Sequence, residues 1–385
     1  MSSTPSLLKP LTLGPLTLRN RIVMSAMTRN RSVPTNVPND LNVEHYKQRA
    51  KGGAGLIVTE GILITQQGTE WQHAPGIWSD EQVQGWKKVT SAVHEEGGLI
   101  YAQLWHLGRV SHPDAPEQKA SGQPVYAPSA ISARGGKFRF LPGVPGYVTP
   151  TEVDDPSKLV ALFKAAAVNA KEAGFDGVEL HGANGYLVHQ FLDNTSNKRT
   201  DKWGGSVENR SRFGLEALKA LIEVWGPERV GVKLGPTGGY NDMGMTIEDT
   251  LETFRYFISE ADKLKIAYIS LVKYVEALDV VFDGKKRATI HDVLESYSPY
   301  IKNSLLIYNG GISPEEGDKL VSGKKVAAVA FGFQWIAQPD FAKRLQHGKP
   351  LTPEKTDFST LYGVVGGKDE EQGRGYIDYP EATYD

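Results

Sequence analysis

Residues 177–187 read Gly177-Val178-Glu179-Leu180-His181-Gly182-Ala183-Asn184-Gly185-Tyr186-Leu187. The first four form a run of the length and apolar character of a short buried strand. A histidine and an asparagine three apart stand where that strand ends, and a tyrosine follows two residues on. Gly182 and Gly185 let the backbone turn there at little steric cost. Histidine and asparagine can both donate hydrogen bonds to one oxygen, and a neighbouring tyrosine can deliver a proton. Two donors on an oxygen that gains charge, with an acid beside them, suit reduction of a double bond conjugated to a carbonyl. A loop brace satisfied by backbone carbonyls is the plainer reading of the same residues.

Outward from this strand the pattern repeats. Apolar runs rich in Val, Ile and Leu occur at Arg21–Ala26, Gly55–Thr59, Leu99–Leu104, Gly177–His181, Val230–Leu234, Tyr268–Leu271, Leu305–Asn309 and Ala327–Phe331. They do not alternate with polar residues, as expected of strands covered on both faces. Helix-start signals fall between them: Ser79 with Gln82, Asp155-Pro156, Thr246 with Asp249, and Ser313-Pro314 with Glu316. Gly97-Gly98, Gly174 and Gly323 stand where helices should stop. Eight β/α units imply a single-domain α/β fold over 1–385, a closed (β/α)8 TIM barrel. The open doubly wound sheet is disfavoured, because no Gly-x-Gly-x-x-Gly follows the first strand. A long loop after strand 3, about His106 to Pro150, with a β-like piece at Lys137–Phe140, reads as a pocket wall. The tail after Gly348 reads as a C-terminal segment covering the barrel mouth.

Composition narrows the chemistry. With 43 Lys+Arg against 45 Asp+Glu in 385 residues, the net charge of −2 gives no reason to expect nucleic acid or an anionic membrane as partner. The absence of cysteine excludes a disulfide framework, a thiolate metal site, an iron–sulfur cluster and a thiol nucleophile. No apolar signal core opens the chain and no run reaches membrane-spanning length, so a cytoplasmic protein acting on a small molecule is expected, with monomer and homodimer both open. No metal site is expected.

In a barrel the residues just past the strand C-termini build the active site. After strand 1, the small residues of Ser25-Ala26-Met27-Thr28 let a flat ring approach, and Thr28 can donate to it. Gly61 follows strand 2, where it exposes backbone N–H to a ligand or makes only a turn. Gln103, near the end of strand 3, offers the donor and acceptor that suit a pyrimidine edge. Lys233 in strand 5 needs an anionic partner, either a structural carboxylate or a reduced flavin. Gly310-Gly311 after strand 7 and Gly332-Phe333 after strand 8 occupy the usual phosphate position of such barrels.

These motifs closely resemble the old yellow enzyme family of FMN-dependent NAD(P)H ene-reductases over nearly the whole chain. The resemblance rests on Asn20-Arg21-Ile22-Val23-Met24, Val58-Thr59-Glu60-Gly61, Gln103-Leu104-Trp105, and His181 to Leu187. It extends through Asn197-Lys198-Arg199-Thr200-Asp201-Lys202-Trp203-Gly204-Gly205-Ser206, Glu208-Asn209-Arg210, and Gly375-Tyr376-Ile377-Asp378-Tyr379-Pro380. It implies FMN as cofactor and NADPH or NADH as reductant. Ala26, Met27, Thr28, Gly61, Gln103 and Lys233 would hold the ring, and Gly310, Gly311, Gly332 and Phe333 the phosphate. His181 and Asn184 would bind the oxygen of an activated alkene, Tyr186 would donate the proton, and Trp105 and Tyr362 would shape the substrate pocket. Two departures stand out: Phe333 replaces a usual arginine that would pair with the phosphate, and Lys233 replaces another. Other readings are a barrel flavin dehydrogenase working oxidatively, a hydrolase using paired strand-end carboxylates, of which mainly Glu60 is found, and a catalytically idle flavin-binding protein.

Overall fold

The computed structural model describes residues 5–136, 141, 146–364 and 368–384, so the expected β-like piece at Lys137–Phe140 lies outside the described residues. Eight strands form the ring: β1 (Ile22–Met24), β2 (Leu56–Val58), β3 (Ile100–Trp105), β4 (Gly177–Gly182), β5 (Val230–Leu234), β6 (Tyr268–Val272), β7 (Leu305–Asn309) and β8 (Ala328–Phe331). Each pairs in parallel with the next, and β8 pairs back onto β1, which closes the barrel. The first two strands are shorter than the apolar runs suggest. After Met24 the chain turns inward, where the Glu60 carboxylate accepts the Arg29 and Asn30 N–H groups at 3.1 and 3.2 Å.

The helices around the ring start where the capping residues stand. Ser79 and Gln82 exchange both bonds of a capping box. Asp155, Thr246 and Ser313 each accept a first-turn N–H. Strand alternation sorts β4: Val178 and Leu180 pack outward with Leu159, Phe163 and Leu218 of the surrounding helices, while Glu179 faces the barrel interior, bonded to Gln103 and Tyr268 of other strands.

The interior cluster of Val23, Val58, Tyr101, Tyr268 and Ile307 is continued by Leu11, Leu13 and Leu18. Those leucines belong to a hairpin, Leu11–Leu13 against Leu16–Leu18, which the sequence reading did not anticipate. They are 8, 0 and 0% exposed, and burying each contributes about 2 kcal/mol.

At the mouth, the tail is clamped by two buried arginines that follow β1. Arg31 donates to the carbonyls of Gln372, Leu361, Thr360 and Arg374 and lies over the Tyr376 ring at 4.6 Å. Arg29 donates to Leu361 and Gly375. The charged segment after Asn197 is an ion-paired loop: Arg199 meets Asp201 at 2.6 Å and Glu152 at 3.2 Å. None of the described helices is long and apolar enough to cross a membrane.

Candidate active site

The turn after β4 is built by the residues its sequence suggested, with one shift of role. Gly182 remains in the strand, where an added Cβ would stand 2.9 Å from Leu234 and 3.0 Å from the Lys233 carbonyl. The turn itself is made by Asn184 and Gly185, at φ 58° and 71°, a conformation that asparagine and glycine tolerate best. Asn241 Nδ2 donates to the Asn184 carbonyl at 2.8 Å, and Gln190 Nε2 to that of Gly185 at 2.8 Å. The backbone carrying His181 and Asn184 is therefore fixed from two sides.

His181, Asn184 and Tyr186 line one cavity together with Ala26, Thr28, Gly61, Trp71, Gln103, Trp105, Lys233 and Tyr362. The Ala183 N–H donates to His181 Nδ1 at 3.3 Å, which leaves the ring proton on Nε2. Burial, then the nearby Lys233 charge, hold this imidazole neutral by lowering its pKa well below the ordinary value. His181 is thus a neutral donor through Nε2. Tyr186 is T-shaped to both Trp105 and His181, at 5.0 and 5.1 Å between ring centres. Burial first, and the neighbouring Tyr240 and Tyr147, raise its phenol well above the ordinary range. Tyr362 of the clamped tail packs on Trp71 at 4.7 Å.

The floor of the site comes from other strand ends. Gln103 Nε2 donates to Glu179 Oε1 at 2.7 Å. Lys233 is 7% exposed, its ammonium donates to Ser25 Oγ at 3.1 Å, and burial lowers its pKa against the opposing pull of Glu179. Glu179 is the carboxylate whose field favours the Lys233 ammonium, without a direct ion pair between them. At Gly61 an added Cβ would lie 2.5 Å from Trp105 Cε3, so the packing of that indole explains the glycine without a ligand.

A second cavity adjoins the first and shares Ala26, Asn184, Lys233 and Leu278 with it. It is lined by Met27, Asn309, Gly310, Gly311, Gly332 and Phe333. Gly310 and Gly311 stand at φ 115° and 62°, and a Cβ on Gly311 would project into open space. The helix after β8 is a single turn, Gln334–Ala337, with no side-chain cap. Phe333 is 53% exposed and meets Phe358 edge-on at 5.7 Å. Lys233 is the one basic side chain among the described residues lining this cavity.

Every residue expected at the site lines one of these two cavities. Trp71, Tyr240 and Leu278 line them as well and were not anticipated. Leu278 precedes a small hairpin, Val281–Phe282 with Lys285–Lys286, whose signal was the Asp283-Gly284 pair. Glu60 is tied to backbone N–H groups and to the Tyr46 hydroxyl, so it is no half of a hydrolytic carboxylate pair. Among the described residues no group of acidic residues and histidines could hold a metal.

A buried cation and an amide at one end and exposed glycine backbone at the other suit a flat polar ring carrying a phosphate. The chain belongs to the NADH:flavin oxidoreductase / NADH oxidase family, whose model matches residues 6–352; its cofactor is FMN. It is similar to a solved structure of morphinone reductase, with TM-score 0.86, 38% identity, and 99% of this chain and 97% of that one covered. It is 37% identical to the probable flavin mononucleotide-dependent alkene reductase of Leishmania infantum, with 97% of each chain covered. It is 38% identical to the probable inactive reductase easA of Epichloe festucae var. lolii, with 98% of this chain and 96% of that one covered. The resemblance to the old yellow enzymes therefore holds.

Proposed function

We propose that the protein is an ene-reductase that uses NADPH or NADH to reduce α,β-unsaturated carbonyl or nitro compounds. One observation carries this reading: His181, Asn184 and Tyr186 line one cavity with Thr28, Gln103 and Lys233. FMN, when bound, would supply the hydride-transfer chemistry between the nicotinamide and the alkene in a ping-pong cycle. Thr28, Gly61, Gln103 and Lys233 would hold its ring, and the backbone of Gly310, Gly311, Gly332 and Phe333 its phosphate.

The remaining work falls to this chain's own side chains. His181 Nε2 and the Asn184 amide donate to the substrate oxygen and stabilise the charge that grows there. Because His181 is neutral, it polarises this oxygen without giving up its proton. Tyr186 protonates the α-carbon. Its raised pKa keeps the phenol protonated throughout the working pH range and suits transfer to a strongly basic carbon. Trp71, Trp105 and Tyr362 confine the alkene and exclude water.

The test is a two-stage stopped-flow experiment. NADPH should bleach the yellow protein, and 2-cyclohexenone should restore the colour. Tyr186→Phe should leave the first stage intact and slow the second. If both stages are unaffected by changes at Tyr186 and His181, the site is misassigned. A second reading, a catalytically idle flavin binder, draws support from the likeness to the probable inactive reductase easA of Epichloe festucae var. lolii. It predicts bleached protein that no enone or nitroalkene reoxidises.

A further inference from the structure

Glu179 is a buried acid that the proposed reaction does not use. It is 3% exposed and sits inside the barrel beneath the ring-binding floor. Its two oxygens have different partners: Gln103 Nε2 donates to Oε1 at 2.7 Å, and the Tyr268 hydroxyl donates to Oε2 at 2.8 Å. Gln103 and Glu179 are direct neighbours across β3 and β4. Glu179 also lines a small internal space with Ser25, Lys233, Tyr268 and Ser270. It is the source of the favourable field on the Lys233 ammonium.

Two consequences follow from elementary chemistry. First, both Glu179 oxygens accept, from Gln103 Nε2 and from the Tyr268 hydroxyl, so the side chain holds the Gln103 nitrogen toward itself. The Gln103 carbonyl oxygen is then the group left for the cavity, and it presents an acceptor to a ring N–H. Second, Glu179 and Lys233 are groups of opposite charge type that line one internal space, and burial raises the pKa of the first and lowers that of the second. Uptake of two electrons and one proton leaves a flavin as an anion. A Lys233 cation favours that anion and a Glu179 carboxylate opposes it, and both side chains are buried, where screening is weak.

We propose that Glu179 is a positioning residue that fixes the orientation of the Gln103 amide and holds the reduction potential of the bound flavin down against Lys233. A purely structural acid would brace β3, β4 and β6 and affect both redox states alike.

The experiment needs no alkene, so its outcome is separate from that of the ene-reductase reading. The midpoint potential of the FMN-loaded protein is measured by dye equilibration for the parent, Glu179→Gln and Glu179→Asp. Glu179→Gln keeps the shape and removes the charge. It should raise the affinity for reduced relative to oxidised FMN by at least tenfold, an upward shift of about 30 mV for a two-electron couple. Glu179→Asp retains the charge and should stay nearer the parent potential. A Glu179→Gln protein whose potential is unchanged, with both redox states bound equally weaker, would overturn the proposal. Should that variant not fold, redox-difference infrared spectroscopy on the parent serves instead. A carboxylate stretch that shifts on flavin reduction supports the coupling, and a difference spectrum with no carboxylate band refutes it.

Discussion

Phe333→Arg probes how the cofactor is retained. The phosphate end of the cradle offers backbone N–H groups and, among the described lining residues, one basic side chain, Lys233, which also lines the substrate cavity. A phosphate with about −1.5 to −2 charge therefore meets little opposing charge at β8. An arginine at 333 would add a charge-assisted, two-pronged contact, worth about 1.5–3 kcal/mol when well formed. The position is 53% exposed, which argues for the lower end. Loss of the Phe333–Phe358 edge contact costs ~0.5 kcal/mol of fold stability in the free and loaded protein alike. The net expectation is FMN bound about tenfold more tightly. The assay is fluorescence titration of deflavinated protein with FMN and, in parallel, riboflavin. The gain should appear for FMN only and shrink as salt rises. If riboflavin gains equally, or FMN gains nothing, the phosphate does not lie at Gly332-Phe333 and the cradle is misplaced.

Other changes reach the substrate side and the scaffold. Tyr186→Phe should slow reoxidation by an enone about 100-fold or more while NADPH bleaching keeps its rate; equal slowing of both would point to a packing defect. His181→Ala should weaken binding of a phenolate ligand, read from its absorbance change on titration, by about 1–3 kcal/mol. Arg31→Ala would strand four tail carbonyls and cost about 3 kcal/mol, seen as faster proteolysis beyond residue 350 and a raised KM.

Acid should destabilise the fold through its buried histidines. Burial lowers the pKa of His45, His106, His181 and His189, the second to about 3 and the fourth to about 4. The unfolded chain therefore takes up protons near pH 6.5 that the native state refuses. Stability is fully present well above pH ~6.5 and falls as pH drops through it; His106 and His189 alone remove about 3 kcal/mol at pH ~5.5. Urea midpoints that stay flat between pH 7.5 and 5.5 would contradict this.

The barrel was legible because each strand is a short run made mostly of Val, Ile, Leu and other apolar residues, and four helices announce their starts with capping side chains. The site was legible because its residues cluster at strand ends, where the barrel brings distant segments together. What escaped notice had weaker local signals. The hairpin at 11–18 is only three residues per strand. Glu179 was absorbed into an apolar run, because one strand does not show which of its residues faces an amide on the next. Trp71 and Leu278 sit in loops whose course depends on tertiary contacts.

The way the tail is held has a consequence for how such a pocket diversifies. Arg29 and Arg31 grip it by main-chain carbonyls, at Thr360, Leu361, Gln372, Arg374 and Gly375. Every amino acid supplies that carbonyl, so the grip is indifferent to the side chains borne between those points. Tyr362, the part of the tail that lines the cavity, can therefore be exchanged for a smaller or more polar group while the fastening stays in place, at the cost of its packing on Trp71.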